Sequence, residues 1–192
     1  MPNWCMDCVT FYPKEAGQLG KLEQLRQDLN QALATIEVGA ENWIGRLLVY
    51  KGMPIEKAED RNVIDCRGFV SDKDASADDT ERFEIIVDSA WSPIEEMYDW
   101  MAKTYDLEYV YIAEEGGTGL FINTDVEGKF YTDRYYISHD DVADPYCETL
   151  EQVIETLKSE LGLPVMSDMI LEQLNELDED LTIYEFDTSA TE

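Results

Sequence analysis

Histidine and cysteine are scarce in this chain, which limits the catalytic and metal-binding chemistry that its sequence can support. The 192 residues include one histidine, His139, and four cysteines. Cys5 and Cys8 form a close pair, but Cys66 and Cys147 each stand alone, so a typical four-cysteine zinc pattern is incomplete. No serine occurs in a nucleophile-elbow motif. We therefore predict no catalytic residue, no metal ligand and no cofactor.

Long apolar runs are also missing. No stretch of about 18 apolar residues is present to span a bilayer. The opening residues, which include Trp4 and Asp7 and no basic segment, differ from a secretory signal. Hydrophobic residues nevertheless make up 44% of the chain, which is enough for a sizeable core. We expect one α+β domain over residues 1–192 in a cytoplasmic protein that does not enter a membrane.

Basic residues are the third deficit. The chain has 43 acidic and 14 basic residues, and its formal net charge of -29 is far outside the range of about 2 to 8 units usual for a small domain. Residues 138–192 hold 16 of the acidic residues and one basic residue. Such a field repels nucleic acid and anionic lipid and attracts basic proteins. The charge predicts a basic, nucleic-acid-binding protein as partner, and no direct binding to nucleic acid or membrane.

The first half of the chain has clear local patterns. Alternation over 5–12 predicts a strand that ends at Pro13. A helix over 15–34 follows, with Leu19, Leu22, Leu25, Leu29 and Leu33 on one face and Lys21, Arg26 and Asp28 off it. A strand over 82–91 then leads into a helix with Ser92 as its N-cap, Pro93 in its first position and Glu95 completing a capping box.

The second half predicts further strands and two more helices. Three β-rich segments, 107–115, 117–125 and 129–137, are separated by glycine-containing turns and suggest an antiparallel meander. Asp144 and Pro145 then cap a helix with a stripe of leucine, isoleucine and valine, and a shorter helix near 168–177 and a last strand over 181–186 follow. The pattern is typical of a ferredoxin-like α+β fold, with a mainly antiparallel sheet and helices packed on one face.

Two segments stand apart from this pattern. Residues 36–82 lack a clear period, so they form either an insertion or part of the sheet. Residues 138–192 form an acidic C-terminal extension of helices and a strand.

Two stretches resemble a known protein family. The opening MPNWCMDCVTF, and DSAWSP followed later by EEGGTGLF, are similar to phage- and plasmid-encoded proteins of the YubB type. Trp4 and Cys5 match the family's opening, whereas Asp7 stands where the family usually has asparagine. The resemblance implies a ferredoxin-like domain, a mobile-element origin and therefore a bacterial host cell. It implies no activity and no catalytic residue.

Other candidate sites are incomplete. His139 could act as a general base, but nothing in the sequence fixes its geometry. Residues 72–83 are spaced like a calcium loop, but Ala77 replaces the turn glycine and Phe83 replaces the closing glutamate. The glycine-rich segment 114–119 begins with two glutamates and fits a hairpin turn better than a phosphate loop.

Two rows of glutamates are the strongest candidates for a partner-binding site: Glu148, Glu151 and Glu155, and Glu172, Glu176 and Glu179. At these spacings each row would share one helical face. We expect an acidic, non-enzymatic phage or plasmid protein that imitates DNA and inhibits a defence system, as an anti-CRISPR or anti-restriction protein would. Two alternatives remain open: an accessory protein whose acidic surface is only solvated or adapted to salt, and a metal- or thiol-dependent enzyme using the cysteines or His139.

Overall fold

The computed structural model describes residues 3–15, 17–73 and 81–188, and the α+β class is confirmed. The chain divides into two compact units, Met1–Leu120 and Phe121–Glu192, where the sequence predicted one domain with an extension from residue 138. Among the described residues, no helix is both long and apolar enough to cross a membrane.

The first unit has the strand and helix order of a ferredoxin-like fold. Its elements are β1 (Trp4–Pro13), α1 (Leu19–Thr35), α2 (Arg46–Tyr50), α3 (Ile55–Ala58), β2 (Gly68–Asp72), β3 (Phe83–Ala90), α4 (Glu95–Tyr105) and β4 (Leu107–Glu115). With β5 (Leu120–Asn123), the strands form a sheet in the order β2-β3-β1-β4-β5. The pairs β1 with β3, β1 with β4 and β2 with β3 are antiparallel, as predicted.

Side-chain alternation in the central strands explains the core of this unit. Every second residue of β3, from Phe83 to Ser89, is buried. The helix α1 contributes Leu22, Leu25, Leu29 and Leu33 as predicted, whereas Leu19, also predicted on this face, is exposed. Asp28 was predicted to lie off this face, but it is buried, where it accepts hydrogen bonds from Lys51 Nζ at 2.9 Å and Tyr105 Oη at 2.8 Å. Those two polar partners satisfy the buried carboxylate.

The predicted start of α4 is wrong. The helix begins at Glu95 with Ile94 as its N-cap, and no side chain caps it. The Ser92 carbonyl accepts a hydrogen bond from the Ser89 hydroxyl at 2.9 Å. Before the helix, Trp91 has a φ of 76°, and Ile94 is almost fully buried. The backbone therefore makes an additional turn that places Ile94 in the core before the helix starts.

Residues 36–67 insert α2 and α3 between α1 and β2. The insertion also runs along β2, because Ile44 N donates to Gly68 O at 3.1 Å and Val70 N donates to Asn42 O at 2.9 Å. Residues 68–72 belong to the sheet itself. The charged segment that follows lies mostly outside the described residues, including Asp74, Ala77 and Asp78 of the calcium-like spacing.

The second unit has its own three-stranded sheet. Its elements are β6 (Tyr135–Ser138), β7 (Tyr146–Cys147), α5 (Leu150–Ser159), α6 (Leu171–Leu174) and β8 (Thr182–Glu185), with strand order β7-β6-β8. Both pairs are antiparallel. The first two strands of the predicted meander are neighbours, as β4 and β5, but its third strand is placed wrongly, because β6 pairs with β7 and β8. The unit's core includes Ile137, Val153, Leu157, Leu174 and Ile183.

The predicted cap of α5 is also wrong. Thr149 is the N-cap, and its side chain accepts a hydrogen bond from Gln152 N at 3.2 Å. Asp144 and Pro145 lie before the helix, where Pro145 O accepts a hydrogen bond from Ile137 N at 2.8 Å. The contact with β6 keeps this segment extended, so the helix starts only after β7.

Candidate functional site

All six glutamates predicted to bind a partner are exposed, but they do not form two helical rows. Glu151 and Glu155 lie on α5, whereas Glu148 precedes its N-cap. Glu172 lies on α6, which ends at Leu174, so Glu176 and Glu179 lie beyond the helix.

The glutamates of the second row do not share one helical face, because α6 is only a single turn long. Asn175 follows the helix, and its side-chain oxygen accepts from Ile183 N at 2.6 Å while its amide donates to Ile183 O at 3.3 Å. The amide thus pairs with the backbone of β8 as a neighbouring strand would. This tertiary contact ends the helix at the position where the sequence spacing suggested that it continues.

The first row contributes to a larger feature that we call the acidic groove. Its volume is about 650 Å³, and five carboxylates line it: Asp133, Asp144, Glu148, Glu155 and Glu160. Tyr146, Cys147, Gln152 and Thr156 complete the lining. Glu148 and Glu155 were predicted from helical spacing. Asp133 and Asp144 were missed because they come from other chain segments, and Glu160, the C-cap residue of α5, was missed because it lies five residues after Glu155. The 16 acidic residues in 138–192 were the only sequence signal for Asp144 and Glu160, and Asp133 lies before that stretch.

Hydrogen bonds hold the walls of the acidic groove in place. Thr132 Oγ1 donates to Glu148 Oε1 at 2.7 Å, and Glu148 N donates to Gln152 Oε1 at 2.7 Å. Ala143 N donates to Glu160 Oε2 at 2.8 Å, which ties the segment before β7 to the end of α5. These bonds hold the carboxylates of Glu148 and Glu160 at the surface, where a cationic group can approach.

The electrostatics of the acidic groove favour a cation. Partial burial raises the pKa of the Asp133 carboxyl, and the nearby charges of Glu148 and Asp144 raise it further. Arg134, the adjacent base, lowers it, but its guanidinium donates to the carbonyl oxygens of Asp125, Tyr131 and Asp133. Lysine and arginine side chains form strong, charge-assisted hydrogen bonds with carboxylates, so this arrangement suits a basic protein segment.

The cysteines are reduced and embedded in the structure. Cys5 and Cys8 lie on opposite faces of β1, as predicted, with Cys5 buried and Cys8 half-buried. Burial raises the pKa of the Cys8 thiol to about 12 and that of Cys66 to about 11. Thiols shifted in this direction are poor nucleophiles at neutral pH. Within the described residues, no group of three or more histidine, cysteine, aspartate or glutamate side chains is placed to hold a metal ion.

The remaining candidates have structural contacts. His139 Nδ1 accepts a hydrogen bond from the Asp141 backbone at 3.1 Å. Glu115 accepts from Gly117 N and Thr118 N, both at 2.8 Å, so the glycine-rich segment forms the predicted turn, with its own glutamate occupying the amides that a phosphate would need. Both sets of contacts stabilise local turns of the chain.

The comparisons with known proteins add no relative to this description. No family model, no curated protein and no solved structure matches the chain.

Proposed function

We propose that this chain is a non-enzymatic protein that binds a basic, nucleic-acid-binding protein through the acidic groove, imitating nucleic acid. The observation that carries the proposal is the gathering of five carboxylates around one groove of the second unit. That unit has 19 acidic and 3 basic residues from Phe121 to Glu192. A solvated surface normally mixes both signs of charge, whereas this one is almost purely acidic.

DNA carries about one negative charge per 1.7 Å of its axis. Closely spaced carboxylates can therefore compete with DNA for the lysine and arginine side chains of a basic groove. Electrostatic complementarity of this kind acts mainly on the association rate and on specificity. The resemblance of the opening residues to phage and plasmid proteins extends the proposal to the partner. We infer a host defence component, which makes the protein an inhibitor of the anti-CRISPR or anti-restriction kind.

The test compares two charge reversals of equal size in the full-length protein. The groove variant carries Glu148→Lys, Glu155→Lys and Glu160→Lys. The control variant carries Glu172→Lys, Glu176→Lys and Glu179→Lys, which are equally exposed but do not line the groove. Each protein is used as bait in a bacterial lysate, and captured proteins are identified and then eluted with double-stranded DNA. Circular dichroism and thermal melting check that both variants fold.

We expect wild type and the control variant to capture nucleic-acid-binding proteins that DNA displaces, and the groove variant to lose them. Affinity for a purified partner should fall at least tenfold between about 50 and 500 mM salt, since screening shortens the interaction range severalfold. Equal losses in both variants would point to the general negative field and to a plain acidic accessory protein. Capture of metabolic enzymes alone, or binding that is independent of salt, would reject mimicry.

A further inference from the structure

An apolar cavity in the first unit, which we call the aromatic pocket, is unrelated to the acidic groove. Its volume is about 390 Å³, and it lies between one end of the sheet and the inserted residues 36–67. The sheet contributes Trp4, Phe69 and Ala90, and Trp4 pairs with Ala90 across β1 and β3. Ligand sites in proteins are typically cavities of about 300 to 1,000 Å³ with mostly apolar walls and a few polar groups.

The insertion holds the second wall of the aromatic pocket rigidly. Trp43 lies against Gly39 and Gly45, where an added Cβ atom would be 2.4 Å and 2.1 Å from its ring. Its indole Nε1 donates to Cys66 O at 2.8 Å, and the Cys66 thiol donates to Ala58 O at 3.1 Å. Because these contacts satisfy the polar atoms behind the wall, the ring offers an apolar surface to the cavity.

The wall that the sheet contributes is partly exposed. Trp4 is 47% exposed, and its ring contacts Phe69 edge to face at 5.8 Å between centroids. Aromatic rings prefer such edge-to-face and offset contacts, so a flat ring that enters the cavity can add to the pair. An exposed indole beside a formed cavity is the arrangement expected where binding covers apolar surface.

Two arginines at the rim of the aromatic pocket favour an anionic group on the ligand. Arg61 and Arg67 both line it. Arg67 binds Asp65 through Nε at 2.9 Å and Nη2 at 2.6 Å, and Arg61 lies close enough to help lower the pKa of the same carboxyl. The Arg67 guanidinium therefore already has a carboxylate partner. Glu59 also lines the rim, so the site offers donors for a single anionic group and does not form a general anion site.

We propose that the aromatic pocket binds a small aromatic carboxylate, with the ring between Trp4, Trp43 and Phe69 and the carboxylate on Arg61. The flat apolar walls select the ring. The guanidinium, which forms bidentate hydrogen bonds with planar anions, selects the acid. The first unit has 24 acidic and 11 basic residues up to Leu120. The charge of the two arginines at the apolar cavity is therefore opposite in sign to the net charge of the unit. The function of this site is independent of the proposed partner binding.

The test uses 1-naphthoate as the probe and its neutral amide as the matched comparison, both added to the full-length protein labelled with ¹⁵N. The four tryptophans each give an indole N–H signal, assigned by single Trp→Phe variants. We expect naphthoate to shift the signals of Trp4 and Trp43 and to leave that of Trp100, on α4, unchanged. Movement of Trp100 alone, or of no indole signal, would reject the site.

Three variants separate the parts of the proposal. Arg61→Gln should weaken naphthoate about tenfold, the loss expected for one charge-assisted hydrogen bond, and change amide binding less than twofold. Lys57→Gln removes an equal charge from α3 outside the pocket and should affect neither ligand. Ala90→Leu, which adds bulk to the lining, should weaken both ligands at least tenfold.

Thermal melting shows whether each of these variants folds. If the amide binds as well as the acid, or if Arg61→Gln acts no more strongly than Lys57→Gln, the carboxylate assignment is wrong. If Ala90→Leu folds and binds both ligands normally, the ring does not occupy this cavity.

Discussion

Asp7 lies in an environment that makes the stability of the fold depend on pH. It is fully buried on β1, where it accepts hydrogen bonds from Tyr98 Oη at 2.5 Å and Ser89 Oγ at 3.2 Å. Burial raises the pKa of its carboxyl from 3.8 to about 6, although these hydrogen bonds and one from the Cys5 thiol lower it. Between those two pH values the Asp7 carboxyl is more often protonated in the folded protein than in the unfolded chain. The contribution of Asp7 to the free energy of unfolding therefore falls as pH rises from about 4 to about 6.

We predict that Asp7→Asn stabilises the protein at pH 7. The raised pKa corresponds to a cost of up to about 3 kcal/mol for the charged carboxylate, and the neutral amide avoids it. Its oxygen can accept from Tyr98, and its NH₂ can donate to Ser89, whose hydroxyl already donates to Ser92 O at 2.9 Å. Urea unfolding at several pH values should show a gain of about 1 to 3 kcal/mol at pH 7 and a weaker slope between pH 4 and 6.

Asp28→Asn is the matched control, because Asp28 is also buried but has a cationic partner. Burial favours a higher pKa for its carboxyl, but hydrogen bonds from Lys51 and Tyr105 bring the pKa below its usual value. The same exchange should therefore destabilise the protein at pH 7, and that loss should disappear at low pH. A loss at Asp7 of similar size would mean that its carboxylate is stabilising.

Gly45 is the residue on which the aromatic pocket most directly depends. A Cβ atom at this position would lie 2.1 Å from the Trp43 ring, which is nearly buried. We predict that Gly45→Ala displaces the indole and costs about 1 to 3 kcal/mol, the usual cost of overpacking. Chemical denaturation followed by tryptophan emission measures both effects. Gly52→Ala is the control, because Gly52 has a positive φ and an added Cβ atom there would meet no neighbouring atom, so this change tests backbone strain without steric crowding. Unchanged tryptophan emission in Gly45→Ala would contradict the assigned packing of Trp43.

At the scale of elements, strong local periodicity was sufficient to predict a helix or strand wherever the tertiary contacts favour the same element. β1, α1 and β3 were predicted because their side chains alternate or repeat over eight or more residues against one core. The cap predicted at Ser92 was wrong because the chain turns to bury Ile94 before the helix begins. The cap predicted at Asp144 was wrong because a hydrogen bond from β6 to Pro145 O keeps that segment extended. The pairing of β6 with β8 joins residues about 45 apart, which no local signal encodes.

The acidic groove was predictable only in part for the same reason. Glu148 and Glu155 are close in sequence to one helix, so their spacing placed them together. Asp133 joins them through the loop before β6, and Glu160 joins them through a bond to Ala143. The aromatic pocket had no sequence signal, because residues 36–67 lack a period and form their wall only by pairing along β2.

The cap of α5 gives a prediction for the groove's main element. Thr149 accepts from Gln152 N and stands beside Glu148, so its loss should loosen the first turn. We expect Thr149→Ala to lower the free energy of unfolding by about 1 kcal/mol. Thr149→Ser keeps the hydroxyl and should stay within about 0.5 kcal/mol of wild type. Urea unfolding measures both, and equal losses would show that the hydroxyl does not cap the helix.

At the scale of the whole molecule, like charge is the dominant electrostatic term. The formal net charge is -29, and both units are acidic. Ion pairs such as Lys51 with Asp28 and Arg67 with Asp65 offset some repulsion in the first unit. With 19 acidic and 3 basic residues, the second unit has few cations for the same purpose. Self-repulsion of this size opposes the compact state.

We predict that salt stabilises this protein markedly. Between 10 mM and 1 M NaCl the Debye length shortens from about 30 Å to about 3 Å, which removes most long-range repulsion between exposed carboxylates. Melting followed by circular dichroism should show a transition temperature that rises steadily with salt.

The Glu172→Lys, Glu176→Lys and Glu179→Lys variant changes the net charge by two units at each of three positions, from -29 to -23. It should melt at a higher temperature in 10 mM salt and gain less from added salt. Because concentrated NaCl also strengthens apolar burial in both proteins, the difference between their two slopes isolates the electrostatic part. Parallel slopes would show that self-repulsion does not limit the stability of the fold, and the acidic surface would then impose no measurable cost that a basic partner could relieve.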